Sequence, residues 1–198
     1  LSGAHARDPR SAHLEPLGQP ARRRSLPPRE SEAPVQARPQ WVFQDRGHRS
    51  AVDHAAAAGV ILAIEPLHPL YAADRSAINS MEQANQICEN LNNHPSIGIA
   101  IDVYHTWWDE HLKNQIERSA RNGNLTAFHV CDWLSPMQDT LNDRGLMGEG
   151  CINVNEISEW IDSTGFGSFH EVEIFSNRWW DSDQSEYLKK IVNYFETN

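Results

Sequence analysis

The chain has 198 residues, a formal net charge of −10 and three cysteines. This length suits one domain, and no apolar run approaches the roughly 18 residues of a membrane helix, so an integral membrane protein is excluded. The acidic balance repels phosphate backbones, so nucleic acid is not expected as a partner. The N-terminus lacks the apolar core of a signal peptide, and Cys88, Cys131 and Cys151 match no disulfide or zinc spacing. Free thiols predict a reducing, cytoplasmic location.

The N-terminal segment differs in composition from the rest of the chain. Residues 1–40 contain seven of the eleven prolines and almost no aliphatic periodicity. Such a segment cannot bury enough apolar surface to offset its chain entropy. We therefore predict that residues 1–48 form a disordered Pro/Arg-rich leader. Two interpretations of the leader stay open: a targeting or docking tail, and non-native sequence translated upstream of a truncated gene.

From residue 49 onward, the pattern predicts alternating helices and strands. Helical spacing of apolar residues predicts helices at 50–59, 79–93, 109–123, 153–165 and 183–198. Apolar runs predict strands at 60–67, 96–105, 125–133 and 169–175, with a long loop at 134–151. Because each nearly continuous apolar strand is followed by a helix, we predict an α/β fold with a parallel sheet. The carboxyl ends of such strands share one edge, where α/β folds place their chemistry.

Each predicted strand ends in or near a residue that can ligate a metal ion: Glu65, Asp102, His129 and Glu173. An acid at one strand end is usually the start of a solvent-exposed loop, but four suitable residues on four strands are harder to explain in this way. Carboxylates with one imidazole suit Mn²⁺, Mg²⁺, Co²⁺ or Zn²⁺. We therefore predict one divalent metal site, which would also compensate the carboxylate of Glu173 in a buried strand.

Further polar and aromatic residues are predicted at the same edge. His68 follows the first strand, His105 ends the second strand three residues after Asp102, and Arg144 lies in the glycine-rich loop NDRGLMGEG. Three tryptophans at 107, 108 and 133 are compatible equally with loop packing and with substrate stacking.

The last predicted strand carries two more ionisable residues. With a side-chain period of two, Glu171 shares the face of Glu173, and His170 faces the helices. Whether Glu171 points inward lower in the sheet or lies at a local bulge stays open.

Five motifs, taken in order, resemble the sugar phosphate isomerase/epimerase family of xylose-isomerase-like barrels: LAIEPLHPLYAADR, IDVYHTWWD, AFHVCDW, NDRGLMGEG and VEIF. That family includes ketose 3-epimerases, hydroxypyruvate isomerases and inosose dehydratases, with endonuclease IV as a distant relative. The resemblance implies a (β/α)₈ TIM barrel with one divalent metal held by Glu65, Asp102, His129 and Glu173. It also implies that His105 and Arg144 bind substrate oxygens.

The resemblance extends from about residue 55 to the end of the chain, whereas a whole barrel needs roughly 250 residues. Four βα units are readable, so we expect residues 49–198 to form the C-terminal half of a barrel. A half-barrel has unpaired sheet edges, and such edges recruit other chains. We therefore expect the chain either to associate with a second half-barrel, for example another copy, or to be poorly soluble.

The function implied by the resemblance is divalent-metal-dependent isomerisation or epimerisation of a small sugar, keto-sugar or polyol. Glu65 and Glu173 would be the catalytic pair that transfers a proton through an enediolate. His68, His105 and Arg144 would bind the substrate. Two alternatives are kept: a non-catalytic fragment or half-barrel that binds a partner, and metal-dependent phosphodiester cleavage like that of endonuclease IV.

Overall fold

A computed structural model describes residues 45–197, so most of the predicted leader lies outside the described residues. Its helices are α1 (Asp45–Ala58), α2 (Met81–Asn90), α3 (Val103–Thr106), α4 (Leu112–Arg121), α5 (Val154–Ser163), α6 (Asn177–Trp180) and α7 (Gln184–Thr197). Its strands are β1 (Leu62–Ile64), β2 (Ile97–Asp102), β3 (Leu125–Val130), β4 (Asp132–Trp133), β5 (Arg144–Gly145) and β6 (His170–Val172). A short 3₁₀ helix spans Pro69–Tyr71.

The main sheet has four strands in the order β1-β2-β3-β6, and every neighbouring pair is parallel. This arrangement confirms the predicted parallel α/β sheet. Asp102 is the register partner of His129, which in turn is the partner of Glu171. Their side chains therefore project from one face at the carboxyl edge. A separate antiparallel pair, β4 with β5, folds the long loop back over this edge.

The helices cover the opposite face of the sheet. Ile101 and Phe128 are register partners there, and both are fully buried, as is Ile99. The face that carries the candidate site has small residues instead, with Ala100 beside Ala127 in the two central strands. Large aliphatic and aromatic side chains thus build the core between sheet and helices, and small side chains lie at the centre of the other face.

Local sequence signals set the ends of several helices. The Ser80 hydroxyl accepts a hydrogen bond from the Gln83 amide at 3.2 Å and caps α2. Gly59 follows α1 with a φ of 69°, the left-handed conformation that glycine adopts without strain. The predicted stop of the first helix at Gly59 is therefore confirmed, although the helix begins earlier than expected.

The two outer strands are shorter than the sequence predicted. β1 and β6 have three residues each, and each pairs with one neighbour within the described part of the chain. Apolar side chains next to them are exposed: Ile61 is 56% exposed and Phe169 is 79% exposed. Association with a second copy through these edges stays a prediction.

Two other expectations concern the chain as a whole. No helix between residues 45 and 197 is long and apolar enough to cross a membrane. The three cysteines are free thiols, with Cys88 and Cys131 buried and Cys151 exposed. The cytoplasmic location stays a prediction.

Candidate metal centre

Four side chains predicted as metal ligands converge at the carboxyl edge of the sheet. Glu65, Asp102, His129 and Glu173 each offer one ligand atom, and these atoms all lie within 4.8 Å of one another. The Nδ1 atom of His129 lies 3.6 Å from Oε1 of Glu65 and 3.5 Å from Oε2 of Glu173. The structure thus brings the four residues together, and metal binding by them stays a prediction.

Strand register explains this convergence. Asp102 and His129 are paired at the ends of the central strands β2 and β3. The Glu173 amide donates to the carbonyl of Val130 at 3.1 Å, which extends the β3–β6 pairing by one step. Glu65 directly follows β1 on the other edge. The central strands therefore supply Asp102 and His129, and the two edge strands supply the glutamates.

The donor set fits a divalent cation. Three carboxylates and one imidazole are ligands that Mn²⁺, Co²⁺ and Zn²⁺ accept. The Nδ1 atom of His129 is buried, and it has no hydrogen-bond partner. Its separations from Glu65 and Glu173 are those of an ion pair and exceed hydrogen-bond length. These two carboxylates raise the pKa of His129 to about 10, and Glu173 has the larger effect.

Asp102 is the most buried member of the cluster. It is inaccessible to solvent. Its Oδ1 accepts a hydrogen bond from the Tyr104 amide at 2.8 Å, and this bond caps the N-terminus of α3. Its Oδ2 accepts from Nη1 of Arg144 at 2.8 Å. Burial raises the pKa of Asp102 to about 7, against the opposing effect of Arg144. The pKa of Glu173 shifts in the opposite direction and falls to about 2. The hydrogen-bonding interaction with His129 is the largest cause, and the charge of Arg144 contributes.

Arg144 joins this cluster from the folded-back loop. It is only 3% exposed, and its Nη1 also donates to the Glu173 side chain at 3.2 Å and to the Glu173 carbonyl at 3.1 Å. Its guanidinium carbon lies 4.3 Å from the centre of the Tyr104 ring and 5.1 Å from that of Phe175. Its Nε is buried without a hydrogen-bond partner. Arg144 thus contacts two of the candidate ligands directly, and its role with substrate stays a prediction.

His105 lies beside Arg144 and is held as a neutral imidazole. Its Nδ1 accepts from the backbone amide of His68 at 3.2 Å, so the ring proton is on Nε2. That Nε2 is 3.8 Å from Oδ2 of Asp102 and 3.4 Å from Nη2 of Arg144. Burial, followed by the charge of Arg144, lowers the pKa of His105 to about 3. His105 can therefore present an N–H to an oxygen at the site.

Aromatic rings line the side of the site next to His68. The His68 ring lies 4.8 Å from that of Trp133 and 6.0 Å from that of Trp108. Trp108 donates its indole N–H to the carbonyl of His105 at 2.9 Å, yet remains 40% exposed. Burial lowers the pKa of His68. The packing interpretation of the tryptophans is therefore supported, and substrate contact stays a prediction for them and for His68.

The two charged neighbours of Glu173 lie on opposite faces. Glu171 is exposed beside its register partner His129, on the face of the site. Nε2 of His170 lies 2.9 Å from Oδ1 of Asp162 in α5, and its ring meets the edge of Phe128 on the helix side. His170 therefore faces the helices, as predicted.

Sequence reasoning missed two residues that shape this centre. Tyr104 is almost fully buried, and its ring lies against the Arg144 guanidinium. Asp132 is fully buried three residues after His129 and accepts hydrogen bonds from the loop that contains Arg144. Asp132 lies in the motif AFHVCDW, directly after an apolar strand. This acid next to a buried strand was the sequence signal that could have indicated a buried carboxylate.

A family model described as a xylose isomerase-like TIM barrel matches residues 27–196. The chain belongs to this family. The recognised family and the barrel-type fold are therefore confirmed. The match begins within the segment predicted to be a leader, and the domain boundary near residue 49 stays a prediction. No curated protein matches the chain.

Solved structures show the same fold over part of their length. Protein SMc04130 from Sinorhizobium meliloti 1021 is 48% identical, with a TM-score of 0.73, and the match covers 77% of this chain and 55% of that protein. The IolI protein with a bound zinc atom is 21% identical, with a TM-score of 0.61 and coverages of 75% and 52%. The 3-keto-D-glucoside 4-epimerase YcjR from E. coli is 16% identical, with a TM-score of 0.56 and coverages of 78% and 52%. The chain spans about half the length of these structures, in agreement with a partial barrel of four parallel strands.

Proposed function

We propose that this chain carries the metal site and the acid–base pair of an isomerase or epimerase that acts on a small sugar, keto-sugar or polyol. The observation that carries the proposal is the convergence of Glu65, Asp102, His129 and Glu173 within 4.8 Å. Membership of the xylose isomerase-like family supports it. So do the zinc atom of IolI and the epimerase activity in the name of YcjR.

The four converging residues would hold one divalent ion, with Mn²⁺, Mg²⁺, Co²⁺ and Zn²⁺ as candidates. When bound, the ion supplies Lewis acidity to a substrate carbonyl and its neighbouring hydroxyl. Glu65 and Glu173 are half-buried, so a substrate can reach them. In the metal-free protein His129 lowers the pKa of Glu173 to about 2, so its carboxylate is ionised at neutral pH and available as a ligand.

The reaction consists of proton transfers and needs no external oxidant or reductant. One of the two glutamates removes the proton from the carbon next to the carbonyl, and the electron pair of that C–H bond forms an enediolate. The other glutamate, which must be protonated beforehand, delivers its proton to that carbon from the opposite side in an epimerisation. In an isomerisation it delivers the proton to the former carbonyl carbon, and the neighbouring hydroxyl loses its proton as the new carbonyl forms. The N–H of His105 and the positive charge of Arg144 stabilise the negative charge that develops on oxygen.

Phosphodiester cleavage is the second enzymatic candidate, and two observations disfavour it. The four-residue cluster is the one convergent set of potential ligands found between residues 45 and 197, whereas the endonuclease branch needs ligands for several metals. Residues 1–50 are net positive, so all of the net negative charge lies after residue 50, which opposes a polyanionic substrate. The non-catalytic alternative is left to the experiment.

Proton exchange provides the test. The protein, loaded with Mn²⁺, is incubated in D₂O with ketohexoses, hydroxypyruvate and keto-inositols, and mass spectrometry records deuterium entering carbon next to the carbonyl. We expect Glu173→Gln to lower the exchange rate by about 100-fold or more, because an amide cannot accept the proton. Glu171→Gln is the matched control, since Glu171 is exposed two residues away on the same face.

The outcomes separate the three interpretations. Exchange that survives in Glu173→Gln at nearly the wild-type rate would contradict the acid–base role. Hydrolysis of bis(p-nitrophenyl) phosphate without any sugar exchange would favour the phosphodiester alternative. Metal binding without either reaction would favour a binding module.

A further inference from the structure

Asp132 is a buried carboxylate surrounded by backbone amides. It is inaccessible to solvent. Its Oδ1 accepts from the amides of Trp133 at 2.8 Å and Ile152 at 2.9 Å. Its Oδ2 accepts from the amides of Gly148 at 2.9 Å and Gly150 at 2.8 Å. Four N–H donors compensate the cost of burying this charge, which would otherwise be large.

Backbone pairing holds the start of the loop 144–152, and the Asp132 side chain holds its end. At its start, β5 pairs with β4, so that Gly145 lies opposite Asp132 and Arg144 lies opposite Trp133. At its end, the amides of residues 150 and 152 bind Asp132, and the amide of Cys151 donates to the Trp133 carbonyl at 3.0 Å. Both ends of the loop 144–152 are therefore bound to the same two residues, Asp132 and Trp133.

The fit of the loop at Asp132 leaves no spare room. A Cβ atom added to Gly150 would lie 2.2 Å from the Trp133 carbonyl oxygen and 2.5 Å from Oδ1 of Asp132. Only a residue without a side chain can bring its amide this close. The contact between Asp132 and the end of the loop therefore depends on the glycine at position 150.

Asp132 also connects this loop to the candidate metal centre. It lies three residues beyond His129, where β3 ends, and the loop it holds begins with Arg144. The Arg144 guanidinium must reach Asp102 at 2.8 Å and Glu173 at 3.2 Å. A shift of the loop by about 1 Å would break both contacts.

We propose that Asp132 is a positioning residue, which places the Arg144 guanidinium against Asp102 and Glu173 by fixing the backbone of the loop 144–152. The consequence for catalysis rests on the proposed function, because Arg144 acts on substrate only if that proposal holds. The placement itself is a property of the protein without substrate, and it is tested separately.

The test uses Asp132→Asn, which keeps the shape but turns one acceptor oxygen into an NH₂ group that faces two N–H donors. The matched control is Asp139→Asn. Asp139 is exposed and lies upstream of the loop 144–152. It accepts hydrogen bonds from the amides of Leu141 and Asn142 at 2.7 and 2.8 Å. Both variants are studied by NMR in the full chain.

Two signals are followed. The first is amide hydrogen exchange, which should accelerate at least about tenfold in Asp132→Asn at the two amides that face the new NH₂ group, because their charge-assisted bonds are lost. These amides are 148 and 150 if the NH₂ group replaces Oδ2, or 133 and 152 if it replaces Oδ1. The second is the side-chain Nε–Hε signal of Arg144, assigned from its absence in Arg144→Lys. The guanidinium lies over the Tyr104 ring, so its Hε is shifted by the ring current and protected from exchange. We expect Asp132→Asn to move this signal towards the position of an exposed arginine, and Asp139→Asn to leave it unchanged.

An Arg144 signal that keeps its shift while the loop amides exchange faster would overturn the proposal and leave Asp132 as a stabiliser of the loop alone. Unchanged amide exchange would overturn it as well. If Asp132→Asn does not fold, Gly150→Ala disturbs the same contact from the loop side and is held to the same two readouts. None of these measurements uses sugar turnover, so failure of the proposed function would be visible independently as an absence of proton exchange.

Discussion

Raising the pH from 6.5 to 8.5 should strongly tighten the binding of Mn²⁺ to the four-residue site. The reason is the proton on His129. Its Nδ1 faces Glu65 and Glu173 at 3.6 and 3.5 Å, and these carboxylates raise its pKa to about 10. A metal ion binds neutral imidazole only, so it must displace this proton. Because the pKa is raised, competition by the proton is strong below pH 10 and weakens as the pH increases.

The size of the effect follows from the distance between pH and pKa. At pH 7, removal of a proton from a group with a pKa of about 10 costs on the order of 4 kcal/mol. Between pH 7 and 8.5, the dissociation constant should therefore fall roughly tenfold per pH unit. Asp102, with a pKa of about 7, adds a second proton below that pH and steepens the dependence there. In total, we expect affinity to increase by about 100-fold or more.

Electron paramagnetic resonance of free Mn²⁺ gives the dissociation constant at each pH. Calorimetry at pH 7.5 in two buffers with different ionisation enthalpies counts the protons released, and we expect about one. His170→Asn is the control, because His170 also pairs with an acid, at 2.9 Å, but on the helix side of the sheet. A dissociation constant that varies less than about threefold over this range would refute the reasoning, as would binding without proton release.

Three further predictions concern stability and chain organisation. Arg118 lowers the pKa of the partly exposed Glu89, so Glu89→Gln should cost about 1 kcal/mol in urea unfolding at pH 7. The stabilisation from a lowered pKa is complete above the unfolded-state pKa and is lost as the pH falls through the folded-state pKa, so the loss caused by the substitution should shrink as the pH falls below about 4; an equal loss at pH 3 would contradict this. Gly98→Ala places a Cβ 2.2 Å from the Thr126 side chain and 2.8 Å from a backbone oxygen, so the melting temperature should fall by several degrees; an unchanged value would refute the clash. Limited proteolysis should cleave first within residues 1–40 and leave a core beginning near 45–55; strong protection of that segment would contradict a disordered leader.

The sequence predicted those parts of the fold that depend on hydrophobic periodicity. The order of helices and parallel strands and the residues at the strand ends follow from it, because a buried strand must be apolar until it leaves the sheet. The outer strands were predicted too long for the same reason. The runs 60–67 and 169–175 are apolar or β-forming throughout, yet β1 and β6 are three residues long, because strand length also depends on the neighbour that is paired.

The contacts of Arg144 could not be predicted from spacing. Its loop is polar and glycine-rich, and the sequence does not reveal that Asp132 folds it back onto β4. Nor does the pattern reveal that Nη1 binds Asp102, a candidate ligand, 42 positions earlier in the chain. Such contacts arise from tertiary packing between distant segments. Periodicity reports only which face of an element is buried.

The two glutamates of the proposed acid–base pair come from the two outermost strands of the sheet. Glu65 follows β1 and Glu173 follows β6, whereas Asp102 and His129 belong to strands paired on both sides. Outer strands open most readily, because fewer hydrogen bonds hold them. The motion of the proton-transferring groups is therefore coupled to whatever pairs with these edges. A polypeptide that adds a strand to either side would stiffen a glutamate from a distance and thereby alter the rate of metal release without contacting the metal.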